Sequence, residues 1–509
     1  MDATTGETEG TRRGPRQRSV RLALIPLLLA MLPSSLGTTI VATSMPTIAG
    51  ELGGVTYLSW AVTSYSLAAA ASIPVWGKLG DMYGRKRWLV VAMSVFLAGS
   101  LLCGLTQDMG ELIAARTVQG LGGGGLAVGV MAVIGELIPP RERGRYQGMI
   151  TSVMVFSMIV GPLAGGGITD VFGWRWAFWF NLPVGALALV LIARLVRVPG
   201  RRRKAHIDYV GALLLVACIV SFVLVVTWGG VEYAWDSAMI VTLTALSATA
   251  LAGFVHAQSR ATEPVLPPHL FTSLNFCLMA VLSFTNGFVM FGAVLYLPLY
   301  QQAVHGVSAT GSGLLLLPML GALVLASQFS GRTVARTGRY KALQAGGAAA
   351  MLTGTLLLSH VDTHTPRLTA ALFMALLGAG MGFLGQNVMT VAQNSVGPQE
   401  VGVASAAMTL FRTLGQSVGV AVMGTLFNHR VRDVMSEHGG GTLSDTRLDA
   451  DGMSRLDAAL RTVYRGAVAQ GVQGAFVLAS LAAGLALAAA LLVREIPLRA
   501  ARTQSDQRP

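Results

Sequence analysis

Two alternating patterns that run the length of the chain predict an all-α integral membrane protein. Apolar runs of about 20 residues follow one another from residue 22 to 493, and short clusters of Arg and Lys fill the gaps between them. Composition agrees: 53% of the 509 residues are hydrophobic and 12% charged, about half the charged share of soluble domains. A formal charge of +13 in a soluble chain would point to nucleic acid. Here the cations cluster between apolar runs, as the positive-inside rule requires, so nucleic acid is set aside as a partner.

Taken in order, the runs give about fourteen spans, near 22–43, 56–76, 88–107, 110–137, 147–169, 175–196, 208–228, 237–256, 273–299, 309–330, 342–360, 368–391, 402–427 and 467–493. The basic tail 1–21 leads into a run that is too long for a signal peptide and has no clear cleavage site, so the first span is expected to stay attached. Placing both termini in the cytoplasm puts Arg141, Arg143, Arg145, Arg194 to Lys204, Arg332 to Lys341 and the tail 494–509 inside. The longest loop, 428–465, then lies outside, where its mixed charges do not count against the topology. Cys103, Cys218 and Cys277 fall far apart inside spans, with neither metal-ligand nor disulfide spacing. No P-loop, zinc-ligand cluster or nucleophile motif is present, so neither catalytic residues nor a metal or cofactor is expected.

The short loop Gly77-Lys78-Leu79-Gly80-Asp81-Met82-Tyr83-Gly84-Arg85-Lys86-Arg87 organises the rest. Its glycines permit a tight reversal, its cations must stay in water, and Asp81 among four cations should be paired. Gly331 to Lys341 repeats the glycine spacing, with Gly338 and Arg339 in place of Gly84 and Arg85 but Ala335 in place of Asp81. The copies lie 254 residues apart, whereas six spans need about 200. Two related halves with an inserted pair of spans follow. The expected divisions are a six-helix domain at 22–204, the extra pair and linker at 205–268, and a second six-helix domain at 269–493.

That loop resembles the signature of the major facilitator superfamily, where it acts as a conformational latch. The resemblance implies the same part for Gly77, Asp81, Gly84 and Arg85, and for Gly338 and Arg339 in the second copy. Six plus two plus six spans is similar to the fourteen-helix drug/proton antiporter branch, typified by multidrug and quaternary-ammonium pumps. Trp60 and Tyr65, Gly173-Trp174-Arg175-Trp176, Trp228-Gly229-Gly230, and Pro139 through Gly148 resemble further stretches of that branch. What it implies is a monomeric exporter of hydrophobic or amphipathic drugs and antibiotics in the cytoplasmic membrane. It would work by alternating access and be driven by inward proton flow.

Three places in the spans bear on coupling. Arg116 sits beside Gln119 with Gly120, Gly123 and Gly124 at helical spacing, which leaves a nearly side-chain-free face and calls for close approach of another helix. An arginine within a span is functional by default, although it can simply bond backbone carbonyls. Its surroundings resemble the family's arginine motif, which implies proton relay. Gly161-Pro162-Leu163-Ala164-Gly165-Gly166-Gly167 combines a helix-disturbing proline with tight packing, and Gly161, Pro162, Gly165 and Gly166 resemble the motif that marks exporters. In Leu36 to Ile48 the position of the family's aspartate is Gly37, which cannot titrate.

Coupling must then use another acid or be altered. Glu136 and Asp170 are the replacements at hand, and each has a plain structural alternative: Glu136 pairing with arginines of the following loop, Asp170 with Arg175. Arg412 is the other charge within a span and resembles a family arginine. A drug-sized cavity between the halves would draw on amide, aromatic and Met side chains, with Asn286, Gln386, Asn387 and Arg412 as candidates alongside Met290, Phe291, Tyr296 and Gln301. A lipid or metabolite exporter, a facilitator with altered coupling, and a ligand sensor that moves nothing are the rival readings.

Overall fold

A computed structural model describes residues 15–52, 58–138, 140–196, 208–230, 233–261, 263–307, 309–397, 399–437 and 458–497. In order the helices are α1 (Pro15–Leu52), α2 (Leu58–Tyr83), α3 (Arg85–Leu105), α4 (Met109–Leu137), α5 (Pro140–Phe172), α6 (Arg175–Trp179), α7 (Asn181–Leu195) and α8 (Tyr209–Trp228). They continue as α9 (Ala238–Arg260), α10 (Leu274–His305), α11 (Ala309–Leu314), α12 (Leu317–Thr337), α13 (Lys341–Leu358), α14 (Arg367–Asn394), α15 (Val401–Glu437) and α16 (Ala458–Leu492). Among the described residues nine helical stretches are long and apolar enough to cross a membrane. The chain is a multi-pass, all-helical membrane protein. In lipid this follows from the backbone, because a helix satisfies every N–H and C=O within one segment.

The helices follow the apolar runs, with α1 extended at both ends to Pro15 and Leu52, α16 starting at Ala458 rather than 467, and three further departures. The sixth run breaks at Phe180 into α6 and α7, and the tenth breaks at Leu315 and Leu316 into α11 and α12. At the other end, α15 runs ten residues past position 427, because the polar stretch from Asn428 keeps good helix formers after the apolar run stops. Of the long loop, residues 438–457 lie outside the described residues.

Helix packing sorts the elements into two groups. Within α1–α7, α4 packs on α2 and α3, and α5 on α1; within α10–α16, α15 and α16 pack on α10, and α14 on α12 and α13. Across the middle, α5 meets α12, α15 meets α2 and α4, and the α8–α9 pair leans on α2 and α15 through α8.

The glycine face of α4 does what its spacing predicts. Gly120 lies against the carbonyl oxygen of Tyr65 and Gly124 against that of Ala69, so α2 approaches with no side chain between the backbones. A methyl group at Gly120 would overlap the Tyr65 carbonyl. Overpacking of this kind costs about 1–3 kcal/mol. Gly120→Ala should therefore lower the thermal unfolding midpoint of the purified protein, while Gly167→Ala, with nothing near its Cβ position, should leave it unchanged.

Candidate functional site: a clamp between the halves and the cavity above it

The first loop glycines position the clamp. Gly84 turns the chain from α2 into α3 at φ +102°, a conformation that L side chains rarely adopt, and Gly338 ends α12 with a left-handed helical cap at φ +71°. Both copies of the repeat thus reverse at their last glycine, Gly84 and Gly338. Gly77, one turn before Asp81, lets α15 come close: a Cβ there would stand 2.6 Å from Ala406 Cβ and 3.0 Å from the Gly402 carbonyl oxygen.

Asp81 and Arg85 are both buried, with side chains 6% exposed, and lie 2.9 Å apart. One carboxylate oxygen of Asp81 accepts from Arg85 Nε at 2.9 Å and from the backbone N–H of Gly402 at 3.1 Å; the other accepts from the N–H of Val403 at 2.8 Å. Gly402 and Val403 are in the first turn of α15, where helical N–H groups have no partner of their own and the helix dipole favours an anion. Asp81 is therefore an N-cap supplied from the opposite half of the molecule. Arg85 reaches on to Glu136 Oε2 at 3.3 Å and the Ala132 carbonyl at 3.3 Å, which ties α2, α3, α4 and α15 into one cluster. Glu136 thus pairs with Arg85; of the arginines of the following loop, the side chains of Arg141 and Arg145 lie outside the described residues.

A second tie runs beside the first. Arg143 of α5 donates to the Ile138 carbonyl at 2.8 Å, to the Gly135 carbonyl, and to Gln393 Oε1 of α14 at 3.2 Å. Gln393 in turn donates to Ser405 Oγ of α15 at 2.8 Å. Lys78 is held by Glu263 of the linker after α9 at 3.0 Å. All these ties lie at the ends of the helices that carry the basic loops. At that end the halves are closed.

Further along the interface the two halves part around a cavity of about 110 Å³. Six methionines line it, Met131 and Met154 from the first half and Met290, Met381, Met389 and Met408 from the second, together with Asn286 and Arg412. Of the residues proposed from sequence, Asn286, Met290 and Arg412 face this space. Asn387 does not: it is buried and donates to Ser330 Oγ at 3.0 Å and the Phe383 carbonyl at 3.1 Å, an interhelical bond. Tyr296 and Gln301 are buried within the second half, and Phe291 is on its exposed surface. The side chain of Gln386 lies outside the described residues.

Arg116 is held at the other side of α4. Its Nε donates to the Ala61 carbonyl at 3.1 Å and its Nη1 to Gln119 Oε1 at 2.6 Å, and Gln119 passes a bond on to Ser100 Oγ at 2.7 Å. The guanidinium covers the ring of Tyr65 at 4.4 Å from its centroid. Among the described residues no carboxylate pairs with it. The exporter-motif residues lie on α5, which packs on α1; Gly161 and Gly165 are buried, and Ser44 of α1 bonds Thr169 of α5 at 2.7 Å. The side chains of Pro162, Gly166 and Asp170 lie outside the described residues. Arg175 pairs with Glu51 at 3.3 Å.

Three participants were not found from the sequence. The N–H groups of Gly402 and Val403 carry no side-chain signal, although Pro398-Gln399-Glu400-Val401-Gly402 repeats the spacing of Pro140-Arg141-Glu142-Arg143-Gly144 and so marks a matching helix start in each half. Gln393 reads as one amide among many. Asn181, fully buried at the start of α7, is the third: its amide nitrogen lies 3.3 Å from where a Cβ on Gly37 would stand, and among the described residues neither of its side-chain polar atoms has a hydrogen-bond partner.

The sequence pattern of the Major Facilitator Superfamily matches residues 27–420. An uncharacterized MFS-type transporter of Mycobacterium tuberculosis is 39% identical, over 99% of this chain and 74% of its own. The multidrug transporter protein MdtP of Bacillus subtilis is 35% identical, over 83% of this chain and 78% of its own. Among solved structures, the human organic anion transporter MFSD10 superposes with a TM-score of 0.61 at 13% identity, over 92% of this chain and all of that one, a likeness in fold alone.

Proposed function

The chain belongs to the major facilitator superfamily, and from that premise we propose that it exports amphipathic small molecules across the cytoplasmic membrane by proton-driven antiport. The observation that carries this reading is Asp81 capping α15 across the interface, directly below a cavity lined by both halves. A bond of this kind can be made only when the halves are closed at that end. It must break when they open, which is what a latch for alternating access has to do. On this reading 22–204 and 269–493 rock against each other, 205–268 follows as the inserted pair, and the fourteen spans place both termini and the clamp in the cytoplasm. The protein works as a monomer.

The cavity is smaller than the roughly 300 Å³ of the smallest drug-sized sites, so loading requires the halves to part. Arg116, with its chain of neutral partners, and Glu136, within the clamp, are the groups assigned to coupling; Gly161 to Gly166 supply the packing on which α5 moves. Efflux of fluorescent amphipathic dyes from inverted vesicles, with and without an imposed proton gradient, tests the reading. Export that follows the gradient supports it, and absence of export removes it.

One observation favours a second reading, a facilitator with altered coupling. At the position of the family's aspartate, Gly37 faces an Asn181 amide that has no partner among the described residues. Buried amides ordinarily find one. Gly37→Asp would place a carboxylate where Asn181 Nδ2 can donate to it, after a shift of a few tenths of an ångström. The variant is expected to fold and to show a larger ratio of flux with gradient to flux without it than the native protein. An unchanged ratio would mean that coupling does not run through this pair.

A further inference from the structure

The charge in the cavity bears on what the cavity accepts. Arg412 lies nine residues beyond Val403 on α15, about 14 Å of helix and so near the middle of a 30 Å hydrocarbon layer. It lines the cavity and makes no hydrogen bond or ion pair with any described residue. Among the described residues no Asp or Glu lines the same space. The sequence reinforces this, because every acid within a helix that borders the cavity is near a helix end: Glu111 and Glu136 on α4, Glu142 and Asp170 on α5, Asp433 and Glu437 on α15. Beside Arg412, Asn286 Oδ1 is buried without a hydrogen-bond partner among the described residues.

A cation held in a low-dielectric cavity without a counter-charge is costly, and a bound anion relieves that cost. A cationic ligand in the same place adds a second positive charge with no carboxylate to receive it. The Asn286 carbonyl oxygen asks in addition for a donor on the ligand. The methionines supply a deformable apolar wall that fits many shapes but distinguishes no charge. Selection by charge therefore falls to Arg412.

We infer that the substrates are amphipathic organic anions, carboxylates or sulfonates that carry a hydrogen-bond donor near the charge, bound with the anion on Arg412 and the donor on Asn286. This rests on the export reading and names its substrate class. The test uses two xanthene dyes of similar shape and opposite charge, fluorescein and rhodamine 6G, in phosphatidylcholine proteoliposomes that contain no anionic lipid. Native protein is compared with Arg412→Gln and Arg412→Lys, each checked for a monodisperse gel-filtration profile. Native protein should move fluorescein at least tenfold faster than rhodamine 6G. Arg412→Gln should slow fluorescein at least tenfold and raise rhodamine 6G flux, and Arg412→Lys, which keeps the charge, should recover most of the fluorescein flux. If rhodamine 6G moves as fast as fluorescein, or if Arg412→Gln leaves fluorescein untouched, the anion assignment is overturned while export stands. If native protein moves neither dye, the export reading falls and takes the assignment with it.

Discussion

Asp81→Asn is expected to cut export at least tenfold while the protein stays folded. The carboxylate accepts two N–H groups of α15 and faces Arg85, and hydrogen bonds to a charged group each contribute about 1.5–3 kcal/mol. Asparagine offers one acceptor in place of two and no charge for Arg85 or for the helix dipole. Losing about 1.4 kcal/mol of bias toward the closed state shifts the equilibrium between states tenfold. The conformational consequence can be read separately from transport. Ala406 is 1% exposed where α15 packs on Gly77, so a cysteine there, with Cys103, Cys218 and Cys277 replaced, should react slowly with a thiol reagent. Adding Asp81→Asn should make it react at least tenfold faster. An unchanged rate would mean that the clamp does not hold the halves together.

Arg116→Gln should have the second-largest effect. The native guanidinium bonds the Ala61 carbonyl and Gln119 and covers the Tyr65 ring, all inside the bundle. Removing it strands the buried Gln119 Oε1, at about 1–3 kcal/mol, and loses a second bond to the Ala61 carbonyl and a cation–π contact of up to about 2 kcal/mol. Lower thermal stability and at least a tenfold loss of export follow. Stability alone would not separate coupling from structure, so Arg116→Lys is the informative partner. It keeps the charge and loses the planar fork. If Arg116 couples protons as proposed, the lysine variant regains stability, yet its export responds less to a proton gradient than native export does. Equal recovery of both would make Arg116 a structural residue.

The parts that were legible in the sequence are those written in side chains along one stretch. Membrane helices follow from apolar runs, and the reversal between α2 and α3 follows from the glycines of the loop. The tight approach of α2 to α4 follows from glycines recurring at helical spacing around Arg116. What was not legible depends on which backbone or neutral group a distant segment presents. The partners of Asp81 are N–H groups more than 300 residues away, common to every helix start. Glu136 pairs with Arg85, which the nearer arginines of the following loop obscured. Asn387 and Asn286 have the same side chain in similar apolar settings; only packing turns one toward Ser330 and the other toward the cavity. Asn181 gained its interest from what faces it, a glycine in another helix.

The most direct test of the latch and export together is dye flux in proteoliposomes under an imposed proton gradient, native protein against Asp81→Asn at equal reconstitution. The account predicts that native protein drives the dye against its own concentration gradient and that Asp81→Asn does so at a tenth of the rate or less. Equal flux from the two proteins, or none from the native one, would contradict it.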